Sequence, residues 1–127
     1  MVSALFSGVY AAFIVRPVNN TVALAGTNVQ LNCAANWTGS PRRIVWLRNP
    51  HMTDILREIV RCYSYHNLQP DLSFPQYSVV STSAGQCDLV INNASLELAT
   101  MYMCRDYDEL EYRALDWAYA NLTVVGE

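Results

Sequence analysis

The sequence contains no lysine; all eight of its basic residues are arginine. Eleven acidic residues outnumber them, so the net charge is −3, and the arginines form no basic run. A nucleic-acid-binding protein needs a concentrated positive charge that neutralises phosphates. We therefore expect no nucleic acid among the partners of this chain.

Charged residues of either sign are scarce, at 15% of the chain, whereas apolar residues make up 52%. This composition fits a chain that fills an apolar core and argues against a disordered one. A length of 127 residues corresponds to one domain. The sequence has no internal repeats and no low-complexity segments.

Motifs of catalysis and cofactor binding are absent too. There is no G-x-S-x-G elbow, phosphate loop, dinucleotide fingerprint or H-E-x-x-H pair. The only two histidines, His51 and His66, lie in loop-like sequence, where we expect them at the surface. The four cysteines lie far apart, without the close ligand pairs of structural zinc sites. We expect no enzyme activity, no cofactor and no metal.

No apolar run is long enough to span a bilayer, which takes roughly 20 residues. The longest, Met1–Val15, resembles a secretory leader with a small-residue cleavage site near Ala11, but it lacks the basic opening segment. We interpret residues 1–12 as a leader remnant or an N-terminal extension, and residues 13–127 as the domain. An ordered leading strand remains the alternative for the first segment. Membrane attachment would need a segment absent from this chain.

Cysteines and glycosylation sequons point to the secretory pathway. Four cysteines in a short chain suggest two disulfides formed in an oxidising compartment. Four Asn-x-Ser/Thr sequons begin at Asn19, Asn36, Asn93 and Asn121, and each marks an expected surface position. We therefore predict an extracellular protein, either secreted or the ectodomain of a cell-surface protein.

The stretch from Asp88 to Arg105 predicts two strands joined by a one-turn crossing at Ala94–Ala99. Leu89 and Ile91 alternate with Asp88, Val90 and Asn92, which is typical of a half-buried strand with Leu89 and Ile91 on one side and the other three residues on the opposite side. Tyr102 and Cys104 then fall on one face of the next strand.

Two further residues complete a known pattern. Cys33 ends an alternating run that begins at Val29, and Trp46 follows 13 residues later. The order Cys, Trp, Tyr-x-Cys is typical of the immunoglobulin sandwich. Over about Phe13–Val125 the sequence resembles an immunoglobulin V-set domain.

The resemblance implies an all-β, immunoglobulin-like sandwich of about nine strands in two antiparallel sheets. It implies a Cys33–Cys104 bridge between the sheets and places Trp46, Tyr102, Leu89 and Ile91 in the core. It also places a break in the first strand near Pro17. The remaining strands are predicted at Thr27–Ala34, Ile44–Arg48, Tyr77–Thr82, Asp88–Asn92, Thr100–Asp106 and Trp117–Val125.

Thr53–Tyr63 fits two patterns, because its apolar spacing matches a helix as well as a strand. The resemblance favours a strand, the one the family calls C′, on which Leu56, Glu58, Val60 and Cys62 would share one face. By elimination, Cys62 would pair with Cys87; the alternative is two free buried thiols.

The chain departs from the family in two places. Gln76 and Leu98 occupy the positions of an Arg–Asp pair that many V-set domains carry, so both charges are missing together. The glycine-rich bulge of antigen-receptor domains is also missing, since no glycine lies between Gly85 and Gly126. Receptor-type heterodimer pairing is therefore in doubt.

Two surfaces are candidates for binding. Asp106, Asp108, Glu109 and Glu111 cluster with Tyr107 and Tyr112 in a predicted loop, which is either a solvated acidic loop or a recognition loop. The second surface is an apolar sheet face made by residues predicted to point outward, unless the N-terminal segment or the C′ hairpin covers it. With the loop residues, the predicted interface set is Val45, Leu47, Met103, Arg105, Tyr107, Asp108, Trp117 and Tyr119.

These observations predict a non-catalytic recognition module with immune-type receptor ligand binding as its function. Its partner would be a protein or a glycan. One alternative is a homophilic cell-adhesion domain. It would form a homodimer through the face of the strands that the family calls C, C′, F and G, predicted here at Ile44–Arg48, Thr53–Tyr63, Thr100–Asp106 and Trp117–Val125. The alternative from another class is an enzyme, for which the sequence has no catalytic constellation.

Overall fold

Two sheets enclose the core in the computed structural model of this chain. The structure describes residues 13–37, 41–48, 57–64, 71–72 and 74–126, so the interpretations of residues 1–12, His51, Leu56 and His66 lie outside the described residues. Within these ranges the strands are β1 Ile14–Arg16, β2 Thr21–Leu24, β3 Val29–Leu31, β4 Ala34–Ala35, β5 Arg42–Arg48, β6 Arg57–Tyr63, β7 Asp71–Leu72, β8 Tyr77–Val80, β9 Asp88–Ile91, β10 Met101–Asp108 and β11 Arg113–Val125. A 3₁₀ turn at Leu96–Leu98 joins β9 to β10.

The larger sheet has the strand order β2-β11-β10-β5-β6-β7, and the smaller has the order β3-β9-β8. All their pairings are antiparallel except that of β2 with β11. Strands β6 and β7 lie between β5 and β8 in the chain, where the variable type of immunoglobulin domain has its extra strands. The predicted all-β sandwich is confirmed.

Apolar residues from both sheets fill the core. Trp46, Tyr102, Leu89 and Ile91 are fully buried. The Cys33–Cys104 disulfide joins the two sheets, with a Cα–Cα distance of 6.6 Å. The hydroxyl of Tyr102 donates to the carbonyl of Leu98 at 2.8 Å, which fixes the corner ahead of β10. The short pattern Tyr-x-Cys therefore marks the corner and the bridge that organise the sandwich.

The second disulfide joins Cys62 of β6 to Cys87, just before β9, with a Cα–Cα distance of 6.1 Å. The alternative of two free thiols does not apply, because the structure describes no free cysteine. Both bridges therefore tie the larger sheet to the smaller one.

Pro17 separates β1 from β2, and the two strands pair with different partners. β1 pairs with β4, a continuation of the β3 segment, whereas β2 pairs with β11 of the larger sheet. Proline lacks the N–H that a continuous strand would use, so the break falls where the chain changes sheets.

The face predicted for Leu56, Glu58, Val60 and Cys62 is wrong for Glu58. The register of β6 against β5 shifts between Trp46 and Leu47, which leaves Ile59 as an extra residue. This bulge turns Glu58 to the other side of the sheet, where it forms an ion pair with Arg61 at 2.6 Å.

Several strand boundaries also differ from the prediction; β10, for example, ends at Asp108 instead of Asp106. β5 begins at Arg42 instead of Ile44, and β11 begins at Arg113 instead of Trp117. β10 and β11 therefore form a longer hairpin than predicted, and the connection between them is a short turn.

Asp88 was predicted on the solvent side of its strand, but it is fully buried. Its Oδ1 accepts the backbone N–H of Cys33 at 2.8 Å. Its Oδ2 accepts hydrogen bonds from Arg16 at 2.8 Å, Gln86 at 2.9 Å and Gln30 at 3.1 Å. These donors cover the carboxylate and satisfy it, which makes the burial of a charge tolerable.

Candidate functional site

One side of the larger sheet faces away from the core, and we call its central part the outer face. Antiparallel register places its residues in rows across β5, β10 and β11, because paired residues point to the same side. The three rows are Leu47–Met103–Tyr119, Val45–Arg105–Trp117 and Arg43–Tyr107–Ala114.

Val45 and Leu47 are on the outer face, but they are not exposed, which corrects the prediction that they form part of a free surface. Their relative exposures are 0% and 2%. Val45 lies between Arg61 of β6 and Arg105 of β10, and Leu47 lies between Glu58 and Met103. The aliphatic stems of such long side chains cover apolar neighbours while their charged ends stay in water. These two residues therefore support the face and cannot contact a ligand.

Trp117 and Tyr119 are the exposed aromatic residues of the outer face, at 55% and 53% relative exposure. Beside Trp117 a shallow groove of about 260 Å³ is lined by Met103, Arg105, Ala114 and Trp117. The predicted outward positions of Met103, Arg105, Trp117 and Tyr119 thus meet at one place on β10 and β11.

The guanidinium of Arg105 is held along the sheet by two neighbours on its own strand. Nε lies 3.1 Å from the sulfur of Met103, and an Nη donates to the hydroxyl of Tyr107 at 3.0 Å. Tyr107 is fixed in turn, because the guanidinium of Arg43 lies 4.9 Å from its ring centre. A charged group on this face is therefore positioned before any ligand arrives.

The predicted acidic loop is a tight turn between β10 and β11. Asp108 Oδ1 accepts the N–H of Leu110 at 2.9 Å, and the N–H of Tyr112 donates to the carbonyl of Asp108 at 2.8 Å. Glu109 pairs with Arg43 at 3.4 Å, and Glu111 pairs with Arg113 at 2.6 Å. Asp106, Tyr107 and Asp108 belong to β10 and are not loop residues, so only residues 109–112 form the turn. Recognition by this turn stays a prediction.

Asp106 departs furthest from the predicted acidic loop, because it is fully buried and pairs with the equally enclosed Arg42 at 2.9 Å. Trp37 Nε1 also donates to the Asp106 carboxylate, at 3.1 Å. The Arg42 guanidinium donates to the Asn36 carbonyl at 2.8 Å and lies 5.0 Å from the ring centre of Phe13. Burial raises the pKa of Asp106 above its usual value, although Trp37 and Arg42 oppose that rise.

A sequence signal for this pair existed in the alternation of the two strands. Counting back by two from Trp46 through Ile44 reaches Arg42, and counting on by two from Tyr102 through Cys104 reaches Asp106. Both charges therefore fall on the core side of neighbouring strands. The pair lies at the end of the sandwich near the turn and holds Asn36 and Trp37 through hydrogen bonds.

The four sequon asparagines, Asn19, Asn36, Asn93 and Asn121, are all exposed. Asn121 pairs with Met101 on β10, one row below Tyr119. Glycosylation at each site stays a prediction. A glycan on Asn121 would border the outer face, whereas the three other sites lie off it.

The described residues contain no cluster of three or more His, Cys, Asp or Glu side chains placed to hold a metal ion. None of the helical turns in the same part of the chain has the length and apolar character needed to cross a membrane.

Comparison with known proteins relates this fold to immunoglobulin domains. Neither a protein-family model nor a curated protein matches the sequence. The first immunoglobulin domain of Dpr1, solved bound to that of DIP-eta, is similar in structure with a TM-score of 0.63 and 18% identity, over 94% of this chain and 100% of that one. The NK cell receptor NKp44, described as a triggering partner in natural cytotoxicity, has a TM-score of 0.68 and 16% identity, over 84% of this chain and 98% of its own.

These similarities, together with the disulfide between the sheets, define an immunoglobulin-type β-sandwich. The strands β6 and β7 refine that class: the chain has the fold of an immunoglobulin V-like domain.

Proposed function

We propose that the chain is a non-catalytic recognition module of a secreted or cell-surface protein, and that it binds a protein ligand through the outer face. The observation that carries this proposal is the pair Trp117 and Tyr119, both more than half exposed in adjacent rows of a well-packed sheet. Exposed aromatic groups of this kind are enriched among the residues that dominate binding energy at protein interfaces. We therefore place the contact on β10 and β11.

The similar structures support a protein partner. One is an immunoglobulin domain bound to another immunoglobulin domain, and the other is a receptor of NK cells. An immune-type receptor is therefore the finer function that we propose for this chain. A fold alone does not set a function, so the exposed aromatic residues of the outer face are the main support for this proposal.

Extracellular localisation is part of the proposal. Two disulfides and four exposed sequon asparagines fit a protein that matures in an oxidising compartment. A glycan on Asn121 would restrict a ligand on the outer face to the side nearer the β10–β11 turn.

The test compares two surface variants of the glycosylated domain on an array of extracellular proteins. Trp117→Ser with Tyr119→Ser removes the exposed aromatic groups of the outer face. Leu96→Ser removes an even more exposed apolar group from the 3₁₀ turn between β9 and β10. We expect the double variant to lose binding at least tenfold and the Leu96 variant to keep it. Leu47 is unsuitable as a probe because it is buried.

Sedimentation of the same variants separates self-association from binding to another protein. If the wild-type domain dimerises and the double variant does not, the outer face serves homophilic adhesion. Unchanged array binding by a folded double variant would show that the outer face is not the binding surface.

A further inference from the structure

Most of the arginine side chains described by the structure are neutralised within the domain. Five of them contact a carboxylate at 3.4 Å or less, namely Arg16, Arg42, Arg43, Arg61 and Arg113. Arg48, the last residue of β5, donates hydrogen bonds to the hydroxyl of Tyr77 and the carbonyl of Glu97.

Arg105 differs from those five, because none of the carboxylates described in the structure lies within ion-pair distance of it. Its two contacts, the sulfur of Met103 and the hydroxyl of Tyr107, are both neutral. It is half-buried on the outer face. Partial burial weakens the solvation of a charge, so a cation held there without a counterion favours an incoming anion.

The donors that Arg105 keeps free suit a carboxylate. A guanidinium has five N–H donors in a rigid fork, and the two contacts of Arg105 use two of them. The remaining donors match the two oxygens of a carboxylate in a bidentate pair.

We propose that Arg105 binds a carboxylate of the ligand in the groove beside Trp117, and that this carboxylate is an Asp or Glu side chain of a protein partner with an apolar residue next to it. This inference rests on the proposed function and adds the chemistry of the ligand. The apolar neighbour follows from the lining, since Met103, Ala114 and Trp117 surround the guanidinium.

A protein partner fits the groove better than an acidic sugar does. Arg105 is the one charged side chain among the four residues that line the groove. Sugar hydroxyls that lose water need several hydrogen-bond donors and acceptors, whereas this lining has donors only on Arg105 and the Trp117 indole and has no side-chain acceptor among its oxygen or nitrogen atoms. A Glu–Leu segment of a protein partner needs a cation for the carboxylate and an apolar surface for the leucine, and the groove offers both.

The test is an NMR titration of the folded domain with two capped dipeptides, acetyl-Glu-Leu-amide and acetyl-Gln-Leu-amide. The signal is the indole N–H of Trp117, assigned with Trp117→Phe. We expect the Glu peptide to shift this signal saturably and to bind about tenfold or more tightly than the Gln peptide, since a hydrogen bond to a charged group is worth more than a neutral one. Added salt should weaken the Glu peptide selectively.

Three variants identify the cation. In Arg105→Gln the two peptides should bind equally weakly. Arg105→Lys keeps the charge without the fork and should have intermediate affinity. Arg113→Gln, which changes an exposed arginine already paired with Glu111, should behave as the wild type. If Arg105→Gln does not fold, the Glu–Gln comparison on the wild type decides the question.

Several outcomes would overturn the inference. If the Glu peptide leaves the Trp117 signal unmoved, or if both peptides bind equally, Arg105 does not bind a carboxylate, while the array result still decides the proposed function. If sialic acid as its methyl glycoside binds more tightly than the Glu peptide and depends on Arg105, the partner is an acidic glycan instead of a protein. If the Glu peptide binds but array binding survives Trp117→Ser with Tyr119→Ser, the proposed function fails and the carboxylate site stands.

Discussion

Asp106 and Arg42 form a buried ion pair at the end of the sandwich, and each is the main compensation for the other's charge. A buried pair contributes little net stability over an apolar replacement, but removing one partner leaves an uncompensated charge. The Asp106 carboxylate also accepts a hydrogen bond from Trp37 Nε1, so removing the carboxylate would release the Trp37 side chain as well. The pair therefore fixes two neighbouring residues, Asn36 and Trp37, at this end of the sandwich.

We expect Asp106→Ala to lower the free energy of unfolding by about 3–5 kcal/mol, the usual result of breaking a buried pair from one side. The matched control is Glu111→Ala, which breaks the exposed pair with Arg113 and should leave the free energy of unfolding nearly unchanged. Urea unfolding of both variants measures the difference. Similar losses for the two would mean that Arg42 finds water or another acceptor after the change.

The hydroxyl of Tyr102 makes stability depend on alkaline pH. Burial raises the pKa of Tyr102 above its ordinary value near 10, and the hydrogen bond with Tyr77 raises it further. Because the folded pKa is the higher one, this contribution to stability is fully present below about pH 10 and is lost as the pH rises further.

We expect the free energy of unfolding to fall above about pH 10 by as much as about 1.4 kcal/mol per pH unit from this group. Tyr102→Phe should remove that slope, and at neutral pH it should cost about 1 kcal/mol for the lost hydrogen bond to Leu98. Tyr112→Phe changes an exposed tyrosine and should keep the slope. The account is wrong if the Tyr102 and Tyr112 variants have the same pH dependence.

At the scale of elements, the sequence predicted what depends on short spacing. The Tyr-x-Cys pattern located β10 and its corner, and the Cys–Trp spacing located β5. The break at Pro17 followed from the missing N–H of proline. The period-2 alternation also identified the outward residues Met103 and Arg105. These features depend on a few neighbouring residues, so they are visible in one sequence.

What the sequence did not predict depends on which strands become neighbours. The bulge at Ile59 turns Glu58 away from its expected face, and only the register of β6 on β5 reveals it. The burial of Val45 and Leu47 depends on long side chains from two other strands. The groove beside Arg105 likewise needs Ala114 and Trp117 from β11. The position of the outer face and its exposed residues Trp117 and Tyr119 could be predicted, but the burial of Val45 and Leu47 and the groove beside Arg105 could not.

The β10–β11 hairpin also bends without glycine. Its register shifts between Asp106 and Tyr107, which leaves Leu115 as an extra residue on β11. Antigen-receptor domains have a glycine-rich bulge in the corresponding strand. This chain lacks those glycines, and its own bulge at Leu115 consists of other residues. The shift places Ala114 opposite Tyr107, and this small side chain leaves room for the groove.

At the scale of the whole molecule, two disulfides hold the sheets together on either side of Trp46. Trp46 pairs with Cys104 in the register of β5 and β10, and its indole N–H donates to the carbonyl of Cys87 at 2.7 Å. The Cys33–Cys104 bridge closes 71 residues, and the Cys62–Cys87 bridge closes 25. The second bridge thus fixes β6 to the smaller sheet, whereas the first bridge does so for β10.

We expect Cys62→Ala with Cys87→Ala to lower the free energy of unfolding by about 3.5 kcal/mol, because the chain-entropy relation assigns that value to a loop of 25 residues. The outer face should survive, since Trp117 and Tyr119 lie on β11 at the far side of β10 and β5 from β6. Denaturant unfolding measures the first effect, and the Trp117 indole signal measures the second. A loss below about 1 kcal/mol would show that packing alone holds β6 in place. A shifted Trp117 signal in the folded variant would instead show that the second bridge positions the outer face.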